Sequence, residues 1–341
     1  MIWLTWRQFR VQAAAACALL AVVAATLLIA GPPLTGSQAR LAEAANVVYL
    51  GGIVAVYVLP AVIGAFWGAP LVARELEAGT VRLVWNQSVT RSRWLDAKMG
   101  LTGLAAVLTT AVLTMAVTLW SDPIDAATRP NTIHAVSDEG SAPEVFAARI
   151  TPWLFGARGI VPIGHALFAF VLGVAIGILL RRTVPAMAVT LAVFAVVQIA
   201  TPALVRPYLI PAVRETVTIT GSSIDRLGPD DDGVLELGVA GPRGAWILDN
   251  RTTVDAAGKE VTAPDWVMDC VPVPTTKPTP QAEVTTAQCF ARLSDLGYRQ
   301  RLTYQPADRF WTLQWRETGL FLLLSALLSA LCFRWTKRRL P

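Results

Sequence analysis

Five runs of 20 or more residues contain no Asp, Glu, Lys or Arg: Val11–Ala30, Leu50–Leu71, Met99–Trp120, Ile160–Leu180 and Thr183–Val205. A sixth run, Thr318–Phe333, is 16 residues long. Uncharged apolar stretches of about 18 residues or more are long enough to cross the hydrocarbon core of a bilayer as helices. The sixth is slightly short for a core of about 30 Å, so its flanking side chains must snorkel or its helix must start earlier. Only 16% of the 341 residues are charged and 54% are hydrophobic, against roughly 25% charged in a soluble domain. The first run is longer than the apolar core of a secretion signal. It also lacks a small-x-small cleavage site before Gly31-Pro32-Pro33, so it reads as a retained helix.

The basic residues alternate between the ends of these runs. One side collects Arg7 and Arg10; Arg74, Arg82, Arg91, Arg93 and Lys98; Arg181 and Arg182; and Arg334, Lys337, Arg338 and Arg339. The opposite short connections hold Arg40, Arg129, Arg149 and Arg158. Positive charge in short loops stays inside, so both termini are expected in the cytoplasm of a cell-membrane protein. The net charge of +5 is therefore an orientation signal, not a nucleic-acid patch.

Residues 206–316 change in composition and are expected outside, as a small α+β domain between the fifth and sixth spans. Glu215–Thr220 and Leu235–Val239 alternate like strands. Trp246–Val261 reads as a hairpin turning near Ala257-Gly258. A helix is expected over Thr286–Leu296, with Phe290, Leu293 and Leu296 inward and Gly297 ending it. Cys270 and Cys289 fall in this segment, where an oxidising compartment permits a disulfide; Cys17 and Cys332 fall in spans. Asp230-Asp231-Asp232 lacks the spacing of a calcium loop and reads as a solvated turn. The connection 121–159 is also expected outside, with a short helix near Pro143–Ile150.

The sequence lacks a P-loop, a nucleophile elbow and any Cys/His metal spacing. No catalytic residue, metal ligand or cofactor is expected in this chain. The six runs also hold no Asp, Glu, Lys or Arg, whereas ion-coupled carriers usually place such groups in their spans, so the energy for any transport is expected from outside the membrane. Gly64-Ala-Phe-Trp-Gly68 and Gly173-Val-Ala-Ile-Gly177 are small-xxx-small patterns that let helices approach closely.

One polar hairpin, 73–98, separates the second and third runs. Ala73–Ala78 reads as a helical extension of span 2, and Gly79 breaks it. Thr80 caps a short transverse helix, Val81–Trp85, whose apolar Val81, Val84 and Trp85 sit beside Arg82. Thr90 caps a helix from Arg91. Such a helix fits either a groove on a partner protein or the headgroup layer of the bilayer.

Glu75-x-Glu77-x-Gly79-Thr80-x-x-Leu83, followed by Arg91-x-Arg93 and Lys98 before a span, resembles the loop of type-2 ABC exporter permeases. The Pro usual in that loop is absent. Residues 1–10 resemble the family's interfacial helix before the first span. Tyr304–Gly319 and the Cys332-Phe-Arg-Trp end look like actinobacterial members. The resemblance implies six transmembrane helices (11–205 and 317–341) around a coupling hairpin. It implies a separate ATP-binding subunit that holds ATP and Mg, and a second permease copy or homologue. In this scheme the partner pushes on Val81–Trp85, with Gly79 and Thr80 shaping the helix start. Glu75 and Glu77 contact the partner or neighbouring permease helices, and Arg91, Arg93 and Lys98 set the depth at the membrane surface. The cargo expected is an amphipathic drug, peptide or lipid. Other readings of the chain are a membrane receptor or immunity protein whose external domain binds a peptide, and an ATP-independent channel or scaffold.

Overall fold

A computed structural model describes residues 2–30, 39–79, 90–127, 148–220, 223–229, 235–270 and 280–339. It contains six helices long and apolar enough to cross a membrane. The chain divides into two compact units: residues 1–126, 152–209 and 311–341, and residues 127–151 and 210–310.

The first unit holds the spans. Span 1 is one helix, Ile2–Ala30. It shows no break between the segment 1–10 expected to lie along the interface and the run that follows. Span 2 is Ala39–Val62, continued by a π segment, Ile63–Gly68, and by Ala69–Glu77. Span 3 is Arg91–Ala127, span 4 Val161–Leu180, and span 5 Thr183–Ala200, continued through a π segment, Thr201–Val205, to Leu209. Span 6 is Phe310–Arg339, so it does start well before the apolar run. The π segments lie at or just after Pro60 and Pro202. A ring without an N–H removes one backbone bond there, and local π adjustment re-pairs the freed carbonyls. Thr190, Thr201, Ser325 and Thr336 donate their hydroxyls to carbonyls four residues back, which satisfies them inside apolar helices.

Spans 2 and 4 meet backbone to backbone. A Cβ at Gly64 would lie 2.7 Å from the Ala169 carbonyl oxygen, and one at Gly68 2.3 Å from that of Phe170. From the other side, a Cβ at Gly173 would lie 2.2 Å from the Gly64 oxygen, and one at Gly177 2.5 Å from that of Ala69. The two small-xxx-small patterns therefore pack against each other within one chain. Around them Phe168, Leu172 and Ile176 of span 4 join Ala186 and Phe194 of span 5 and Phe321 of span 6 in a buried cluster.

The second unit is α+β. Strand β1 (Val213–Thr218) pairs antiparallel with β5 (Arg299–Gln305), which pairs antiparallel with β4 (Trp246–Val254). β2 (Ile224–Pro229) pairs antiparallel with β3 (Leu235–Val239). Gln300 of β5 ties the two sheets, donating to the carbonyls of Leu237 and Asn250 at 2.8 and 2.7 Å. The expected hairpin exists, with Gly258 at φ +80, but its return arm forms no full strand: it is joined at the Val254–Glu260 bridge by the Asp255 and Val261 N–H groups, which donate to the Lys259 and Thr253 carbonyls. The expected helix is longer than its pattern, Pro280–Asp295, and Gly297 ends it at φ +83. Phe290 and Leu293 are buried as expected, whereas Leu296 lies beyond the last helical turn and is exposed. Cys270 and Cys289 are joined, with Cα atoms 5.6 Å apart, and Cys270 sits in the core of this unit. Asp230–Asp232 and Pro143–Ala147 lie outside the described residues.

Three outcomes are expected. Gly173→Ala destabilises the protein by about 1–3 kcal/mol in detergent melting, because a methyl group there overlaps span 2 backbone. Gly100→Ala, where nothing lies within 4 Å, gives up to about 1 kcal/mol in the opposite sense. Mass spectrometry without reductant finds Cys270 linked to Cys289, and two alkylatable thiols there would contradict the structure.

Candidate functional site

Two clusters of polar side chains organise the spans, one at each end. The first lies at the base of the hairpin. Gly79, at φ +69, ends the helix Ala69–Glu77, and its N–H donates to the Leu76 carbonyl. Only glycine adopts that backbone without strain, so the break read at Gly79 is present. Thr90 caps span 3, its hydroxyl accepting the Arg93 N–H at 3.4 Å. Between these points, Thr80, Val81, Arg82, Val84 and Trp85 lie outside the described residues, and so does the Arg91 side chain. Arg93 is exposed.

The acidic residues of the hairpin base are engaged within the chain. Glu75 of span 2 forms an ion pair with Lys98 of span 3, and Lys98 is buried. The Lys98 ammonium also lies 4.8 Å from the Trp94 ring centroid. Glu77 accepts the Thr183 N–H at 3.0 Å and so caps span 5. Span 4 ends beside this point at Arg181, at φ 55, and Arg182 extends the chain into span 5. Two adjacent carboxylates thus fasten the end of span 2 to the starts of spans 3 and 5. Of the two contacts expected for Glu75 and Glu77, the one seen is with neighbouring helices.

The second cluster was not legible in the sequence. Arg206 begins the 206–316 segment expected outside the membrane, and Glu317 borders the charge-free run Thr318–Phe333. Both are instead in helices and fully buried. Arg206 Nε donates to Glu317 Oε2 at 2.7 Å, and its Nη2 to Oε1 at 3.0 Å. Its Nη1 donates to the Pro152 carbonyl at 2.7 Å, and the guanidinium lies 4.4 Å from the Phe155 ring centroid. His165 of span 4 places Nε2 3.4 Å from Glu317 Oε1 and packs edge-on against Phe321 at 4.3 Å. The expectation that the spans hold no ionisable residue is therefore corrected. A hydropathy scan stops at a charge, but here each charge carries its counter-charge from another helix, which lets both enter the bundle.

Gln314 completes the cluster. Its Oε1 accepts the N–H groups of Ile160 and Val161 at 2.9 and 3.0 Å. Its Nε2 donates to the carbonyls of Phe155 and Arg158, both at 3.1 Å. Both acceptor lone pairs and both donor hydrogens of the amide are in use. Gly159 (φ +66) makes room, because a Cβ there would lie 2.7 Å from Gln314 Oε1. Tyr57 of span 2 donates its hydroxyl to the Trp153 carbonyl at 2.9 Å. Spans 2, 5 and 6 thus all bond the segment 152–161 that leads into span 4. Among the described residues, no group of three or more His, Cys, Asp or Glu could hold a metal ion.

Glu317→Gln is expected to cost about 3 kcal/mol or more in unfolding titrations, since it leaves the buried Arg206 charge poorly matched. Removing both partners, as Arg206→Met with Glu317→Leu, costs less than the two single changes together. Additive losses would show that the pair does not interact.

No curated protein and no solved structure matches the chain. One family does: the family described as ABC-2 membrane transporter related matches residues 3–206, which include spans 1 to 4 and nearly all of span 5. With six candidate membrane helices among the described residues and this match over more than half of its length, the chain belongs to the ABC-2 membrane transporter related family.

Proposed function

We propose that this chain is the permease subunit of an ABC transporter, that it exports an amphipathic drug, peptide or lipid-like molecule, and that a separate ATP-binding subunit drives it through the hairpin 73–98. In this reading the basic ends of the spans face the cytoplasm, the segment between spans 5 and 6 (residues 210–309) faces outward, and a second permease copy or homologue completes the pathway. ATP and Mg belong to the partner subunit. Family membership supports the permease role.

The observation that carries the coupling route is the pair of fastenings at the hairpin base. A load applied at Val81–Trp85 enters the bundle at Glu77 and Arg91, the helix ends that border the hairpin. Glu75–Lys98 passes it between spans 2 and 3, and Glu77 passes it to span 5 through the Thr183 N–H. Gly79 ends the helix of span 2 just beyond the Glu75–Lys98 ion pair. Contact with the partner and transmission of its motion therefore reside in different residues.

Co-expression with candidate ATP-binding subunits, followed by reconstitution, separates the two roles. The wild type is expected to co-purify with a subunit and to stimulate its ATP hydrolysis. Trp85→Asp weakens co-purification at least tenfold. Lys98→Met retains co-purification but loses the coupling of hydrolysis to efflux of an amphipathic dye. Failure of the wild type to bind any subunit would sink the permease reading. Normal binding by Trp85→Asp would sink only the placement of the contact.

A further inference from the structure

The buried pair Arg206–Glu317 has a consequence on the outside of the bundle. Two residues along an α-helix is a rotation of about 200°. With Arg206 turned inward, Tyr208 turns outward, and with Glu317 inward, Trp315 turns outward. Tyr208 is 82% exposed and Trp315 65%. Trp311, one turn above Trp315, is half exposed, and Trp153 follows the Pro152 carbonyl that Arg206 holds and is also exposed. The ion pair therefore turns Tyr208 and Trp315 outward, and Trp311 and Trp153 are exposed at the same end of the bundle. Toward the basic end, the exposed surface of the same two helices is aliphatic, with Ile199 and Leu204 on span 5 and Leu323 and Leu327 on span 6.

We propose that Trp153, Tyr208, Trp311 and Trp315 form a collar that binds the headgroup and ester layer of the lipid leaflet opposite the basic end. Indole and phenol rings suit that layer because each has an apolar body and one polar hydrogen. The collar continues a lipid-facing aliphatic surface and stops where the helices leave it, so lipid is its occupant. Length agrees. Nineteen positions separate Trp315 from Arg334, about 28 Å at about 1.5 Å per residue, against a hydrocarbon core of about 30 Å. The Arg206–Glu317–His165 cluster then lies level with the edge of the hydrocarbon, inside the ring of aromatics and not in open water.

The test uses the full chain in liposomes with the free cysteines Cys17 and Cys332 replaced by Ala and the disulfide kept. Single cysteines are introduced as Ile199→Cys, Tyr208→Cys, Trp311→Cys and Leu323→Cys. A membrane-impermeant maleimide is applied to the accessible side, and all four sites are labelled after denaturation in SDS as the reference. Tyr208→Cys and Trp311→Cys are expected to react at least tenfold faster than Ile199→Cys and Leu323→Cys. Equal reaction at all four would make the aliphatic face water-lined and overturn the collar. Protection of Tyr208→Cys and Trp311→Cys to the level of Ile199→Cys would also overturn it, and recovery of labelling on dilution in lipid would assign that face to a second copy of the chain.

Discussion

A charge inside an apolar helix must bring its counter-charge with it. Arg206 and Glu317 lie on different spans and meet through two hydrogen bonds, with the third guanidinium arm on the Pro152 carbonyl. Separately, each would carry a desolvation cost of several kcal/mol. Together they fix the rotation of span 5 against span 6 and the position of the segment before span 4. Their geometry also decides which side chains of those helices face lipid.

The two ends of the bundle use polar groups differently. At the basic end, Glu75 and Glu77 spend their oxygens on the starts of other helices, one on an ammonium and one on a backbone N–H. At the other end, Gln314 and Tyr57 bind the backbone of the short connection that leads into span 4. In both places the bond partner comes from a distant part of the chain, 23 to 159 residues away. The spans are thus joined at their ends by directional bonds and along their lengths by close packing.

The spans, the strands β1, β3 and β4 and the disulfide could be read from the sequence because each has a local signal: charge-free length, alternation, and two cysteines in one polar segment; β2 and the central β5 were not read. The Gly79 break and the Thr90 cap were legible for the same reason. Both depend on backbone chemistry within four residues. The Arg206–Glu317–His165 cluster was not, because its three members are 41 and 111 residues apart in sequence and each alone looks like a span boundary or a lone ring. Gln314 had no signal either, as a single amide near a helix start. The nearest clue was the shortness of the sixth apolar run, for which an earlier helix start was one of the two readings, and that start places Glu317 inside the helix. Leu296 failed differently: a helical stripe was extended one residue past the turn that buries it.

Where Gly64 and Gly68 meet Gly173 and Gly177, no layer of side chains separates spans 2 and 4. Side chains are the compressible part of a helix interface, since they change rotamer while backbones keep their shape. Spans 2 and 4 therefore behave as a single stiff strut. Glu75 and Glu77 sit at one end of it, and the Tyr57 and His165 contacts lie toward the other. In the proposed coupling route, a displacement at the hairpin base would travel along this strut toward the far cluster with few side chains to absorb it.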